Sequence, residues 1–100
     1  MLFVIEDDGA RWLVELPESV SSAPRQLQSA FMKWIKRPDS KAWQRGGLTY
    51  GISDFVDWVN DIKLADSAEK AVVVNRHAGE VTAYMDGKDE FSTGNQRLRF

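Results

Sequence analysis

The sequence predicts an α+β fold, a two-layer sandwich in which a mainly antiparallel sheet of about four or five strands is covered on one face by two helices. Three observations carry this reading. Residues 1–6 and 10–16 are β-rich runs on either side of a glycine-containing turn. Two central segments, near residues 24–36 and 53–65, place apolar residues at helical spacing. Residues 70–75 and 80–85 are again β-rich. Strands at both ends with helices between them give the order ββααββ.

Each element has a local reason. Asp7-Asp8-Gly9 separates the first two runs, and a glycine free to take positive φ closes a short hairpin loop. Trp12, Val14 and Leu16 alternate onto one face and read as core. The first run is apolar on both faces, as a central or a doubly covered strand is. Ser21 or Ser22 is placed to cap the first helix, with Pro24 in its first turn. Leu27, Ala30, Phe31, Trp34 and Ile35 fall at i, i+3, i+4, i+7 and i+8, a single apolar stripe. Pro38 disfavours helical φ/ψ at Arg37, so this helix ends near Lys36.

Residues 39–51 read as an irregular connector, with Gly46, Gly47 and Gly51 as its flexible points. The second helix starts near Ser53 and fades around 65–67. Ile52, Phe55, Val59 and Ile62 share its apolar side; Asp54, Asp57 and Asp61 share the other. KAVVVN at 70–75 and EVTAYM at 80–85 read as a second hairpin turning at residues 76–79. Asp86-Gly87 is a turn, 90–93 reads as extended, and 97–100 as a short edge strand. Parallel pairing of the first and last hairpins across the helical crossover is compatible with this order.

Residues 1–100 are expected to form one domain. A chain of this length buries roughly 60–65% of its unfolded surface, enough to fold without metals or disulfides. The chain has no cysteine, which removes disulfides, thiolate nucleophiles and thiolate metal sites. Residues 1–5 lack the basic start and the length of a signal peptide, and no run of about 18 apolar residues occurs. The expectation is a soluble cytoplasmic protein with no membrane association. A pI near 5.3 argues against nucleic-acid binding over the whole surface.

The sequence carries little chemistry. Its single histidine, His77, falls in a predicted turn with no serine elbow to serve. One imidazole and no thiolate do not make a zinc site. Glu6-Asp7-Asp8 is the densest acidic run, without the spacing of a calcium loop. Gly46-Gly47 lacks the Gly-Lys-Ser/Thr ending of a phosphate loop. Asp57 and Asp61 are helical neighbours on the water-facing side, where acid–base tuning is weak. No catalytic, cofactor or metal residue is assigned, and the chain reads as a non-enzyme; a small enzyme using His77 is the weakest alternative.

Charge is more informative. Residues 33–47 hold five basic side chains against Asp39, a local +4 in a chain whose 13 basic and 15 acidic residues give −2. Residues 54–69 follow at once with a local −4. Lys33, Lys36 and Arg37 complement the end of the first helix, and Asp54 and Asp57 the start of the second, each contributing roughly 0.3–1 kcal/mol. Lys41, Trp43 and Arg45 are left over. With Tyr50 and Trp58 as aromatic neighbours, they form the candidate partner-binding set, since Trp and Arg are the types enriched at interface hot spots. The first expectation is therefore a protein-binding module: a small inhibitor, adaptor or assembly subunit. Small accessory proteins of phages and mobile elements share this compositional profile. The alternative is nucleic-acid or polyanion binding through 33–47. A homodimer joined by strand edges or opposite charges is compatible with the same pattern.

Overall fold

The computed structural model describes residues 1–7, 9–75, 78–85 and 96–100. It is a small α+β fold whose main sheet has four strands in the order β5-β2-β1-β6. Strands β1 (Leu2–Asp7) and β2 (Ala10–Glu15) form the expected hairpin. Asp7 pairs with Ala10, and Gly9 turns the chain at φ 85°. Such a φ is open to glycine at no steric cost. Strand β6 (Arg97–Arg99) lies parallel to β1, while β5 (Val72–Val73) lies antiparallel to β2. The sheet is thus mixed, with short strands at both edges.

A one-turn helix, α1 (Glu18–Ser21), precedes α2 (Pro24–Ile35). Pro24 is in the first turn of α2 as expected, but neither serine caps it. The N-cap is Ala23, and Ser21 is buried at the end of α1, where its N–H donates to Pro17 O. Helix α2 ends with Lys36 as C-cap. Its stripe buries Leu27, Phe31 and Ile35, with Ala30 and Trp34 at the flanks.

The connector is not wholly irregular. Strands β3 (Trp43–Gln44) and β4 (Gly47–Leu48) form a separate two-stranded ribbon. Helix α3 (Ile52–Trp58) follows, and its Asp54 Oδ2 accepts the Gly51 N–H at 2.8 Å, satisfying one free donor at the helix start. The helix then widens into a π-helical turn, Val59–Lys63.

The main core lies between the sheet and these helices. Phe3, Ile5, Val14, Leu16 and Leu98 supply the sheet side; Leu27, Phe31, Ile35, Phe55 and Val59 supply the helical side. Phe31 is its hub, with ring centroids of Tyr50, Phe55, Trp58 and Phe100 between 5.3 and 5.8 Å away, mostly edge-to-face. A second cluster, Val4, Leu13 and Val81, lies on the opposite sheet face under helix α4 (Ala78–Met85).

Several expectations change. Residues 80–85 are helical, not a strand, so the second hairpin does not form and the ββααββ order is not the one observed. Helices lie on both faces of the sheet rather than on one. The reason is visible in the second cluster: β1 presents Val4 on the face away from α2, and that apolar spot needs its own cover. Val81, Tyr84 and Met85 supply it at i, i+3 and i+4. Trp12 faces the same way as its partner Ile5 but stays 36% exposed at the turn end of the hairpin, so it is not core. The turn assigned to residues 76–79 opens α4 at Ala78 and Gly79; Arg76 and His77, like 86–87 and 90–93, lie outside the described residues. Among the described residues, no helix is long and apolar enough to cross a membrane.

Candidate functional site

A cleft of about 790 Å³ runs between the connector and the polar side of α3. Its aromatic lining comes from Trp34, Tyr50 and Trp58. Arg37, Asp39 and Lys41 line it from the connector; Asp54, Asp57 and Asp61 line it from α3 and the π turn. Two cations therefore share the cleft with four carboxylates. The basic and acidic segments of the sequence do meet in space, but among the described residues no ion pair joins them. Arg37 is committed to its own helix end. It stacks on the Trp34 ring at 4.1 Å, donates to Trp34 O at 2.9 Å and pairs with Asp39 at 3.0 Å. This is the helix-end role expected for Arg37.

The five candidate binding residues divide. Lys41 is exposed on the cleft wall. Trp43 is 45% exposed on the β3–β4 ribbon, and its indole Nε1 donates to Arg37 O at 2.9 Å. That bond fixes the ring's position while leaving its surface open. Arg45 is exposed at the ribbon tip with φ 49°, followed by Gly46 at φ 81°. Positive φ at both central residues marks the tight turn that matches strand twist. Tyr50 is half-buried, packed on Phe31 and Phe100. Burial first, and the charge of Asp7 second, push its phenol above the usual tyrosine range.

Trp58 departs from expectation. It is only 4% exposed, packed on Phe31, Trp34 and Phe55, with Lys63 over its ring. A place in the candidate binding set needs an open ring, but this ring is turned into the aromatic hub, so it supports the cleft from below. Its Nε1 is buried and has no partner among the described residues. Trp43 and Trp58 therefore do not form one exposed aromatic patch.

Sequence reasoning missed a second charged site. Glu6 is contacted by Arg11, Arg97 and Arg99 on the α4 face of the sheet. A trace of it was available: Arg97-Leu98-Arg99 alternates, so both arginines share a face of any strand there. What they would meet was not visible. Among the described residues, no group of three or more His, Asp or Glu side chains is arranged to hold a metal ion. No protein-family model, curated protein or solved structure matches the chain.

Proposed function

We propose that this chain is a non-enzymatic protein-binding module that docks a partner through the β3–β4 ribbon and the adjoining cleft. The observation that carries the reading is Trp43. A large aromatic surface is left in water, yet its N–H is already bonded to Arg37 O, so little side-chain freedom remains to be lost on binding. Preorganised Trp and Arg side chains are the typical anchors of protein interfaces. The excess of carboxylates in the cleft favours a partner segment of basic character. The same excess speaks against the alternative, a nucleic-acid backbone held by 33–47, because Asp54, Asp57 and Asp61 stand on the surface that phosphates would approach.

The test compares the intact protein with Trp43→Ala in capture from the native lysate, with captured proteins identified and their affinities measured. A partner held by the wild type should bind Trp43→Ala at least about tenfold more weakly, as expected for a hot-spot residue. Thermal melts should coincide, since Trp43 is outside the core. If every captured protein binds both forms equally, the ribbon is not the docking element.

A further inference from the structure

Glu6 gathers three arginines from two strands. Arg11 is its cross-strand partner on β2, and Arg99 its register partner on β6. Arg97, two residues before Arg99, lies on the same face. Arg11 Nε sits 3.3 Å from Glu6 Oε1, Arg99 Nε sits 3.3 Å from Oε2, and Arg97 Nη2 also donates to Oε1. Among the described residues, Glu6 is the only carboxylate in ion-pair range of these three. The neighbouring Asp7 points the other way, where its charge is felt by Tyr50.

A structural ion pair needs one guanidinium for one carboxylate. Among the described residues in contact, three against one leave +2 on these four side chains, in a chain of net −2. The donor count is equally lopsided. Each guanidinium carries five N–H donors in a fixed fork, while a carboxylate offers about four lone-pair positions. Arg97 shows the surplus directly: its side chain is only 18% exposed, yet its Nε is buried with no partner among the described residues. Arg11 and Arg99 remain more open to solvent. A planar guanidinium fork fits a carboxylate and a phosphate alike, but a phosphate brings more acceptor oxygens and more negative charge, so it can meet several neighbouring forks at once.

We propose that Arg11, Arg97 and Arg99 form a binding site for a phosphate group, either inorganic phosphate or a phosphate monoester, with Glu6 holding the three side chains in register. The site is separate from the β3–β4 ribbon and stands or falls independently of the docking surface there. Titrating ¹⁵N-labelled protein with inorganic phosphate, and in parallel with phenyl phosphate, tests it at the arginine Nε–Hε resonances. The Arg97 and Arg11 signals should shift along one saturating curve below about 10 mM ligand, beyond the response to sodium chloride of equal ionic strength. Phenyl phosphate tighter than phosphate would identify a monoester ligand; equal binding would identify the free anion. Arg99→Gln, at an exposed side chain that the fold does not depend on, should weaken binding about tenfold, and Arg97→Gln should abolish it with the circular dichroism spectrum unchanged. No shift beyond the chloride control would overturn the proposal, as would an identical titration of Arg99→Gln. A response confined to a short single-stranded DNA, with none to either small phosphate, would overturn it too.

Discussion

Arg45 occupies a backbone conformation that costs most side chains about 1–2 kcal/mol, because Cβ crowds the following carbonyl oxygen when φ is positive. A tight two-residue ribbon turn normally places asparagine or glycine there. Arg45→Gly should relieve this strain and raise stability by about 0.5–1 kcal/mol, part of the relief being offset by the greater freedom of glycine in the unfolded chain. The shift would be read as a higher denaturant midpoint with unchanged slope, and no shift would mean that the ribbon tip is uncoupled from folding. Tyr50 makes a second residue-level prediction. Its folded-state pKa is raised, so its neutral form is favoured by folding. That contribution is fully present below the unfolded tyrosine pKa of about 10 and is lost as pH rises through the folded value. Stability measured by denaturant titration should therefore fall in that alkaline window, and fall less in Tyr50→Phe.

Among the elements, the π turn after α3 decides most. A regular helix through residues 52–65 would put Ile62 on the apolar side with Phe55 and Val59. Instead the Leu64 N–H bonds Val59 O at 2.8 Å, five residues back, and the wider turn rotates the chain. Leu64 enters the core and Ile62 is left 54% exposed. The costs of truncation should follow: about 2–4 kcal/mol for Leu64→Ala, within about 0.5 kcal/mol for Ile62→Ala. Thermal or chemical unfolding of the two variants would show the opposite ranking if the helix ran straight. The same turn positions Asn60, whose side-chain amide accepts the Ala71 N–H at 2.7 Å and donates to Ala71 O at 3.0 Å. This clasp holds the chain entering β5, whose exposed Val72 and Val73 do little to anchor it to the core. Residues 80–85 illustrate the complementary ambiguity. Val81, Tyr84 and Met85 suit a helix face, while the β-rich composition of the same six residues suits a strand. A segment this short carries too few periods to choose, and the uncovered apolar face of β1 chooses for it.

For the molecule as a whole, the legible parts were those written over a few neighbouring residues. The β1–β2 hairpin follows from Asp7-Asp8-Gly9 and the flanking runs, and α2 from its stripe and Pro24; the short edge strand expected at 97–100 is β6. The apolar residues on both faces of β1 left a central or a doubly covered strand open, and helix α4 on the second face was not foreseen. The exposure of Trp43 and the burial of Trp58 were not legible either, since each depends on how the connector and α3 fold against α2. The cleft is a product of that same packing. The arginine cluster lies furthest from any local signal: Glu6 and Arg97 stand 91 residues apart and meet only because β6 docks parallel to β1. The first hairpin turn and the α2 stripe are short-range consequences of backbone sterics and side-chain spacing, so a few neighbouring residues suffice to specify them. Which charged and aromatic side chains share a surface is set by strand pairing and helix packing, and these are driven by burial across the whole chain. The charges that burial leaves outside are brought together without any pattern of their own.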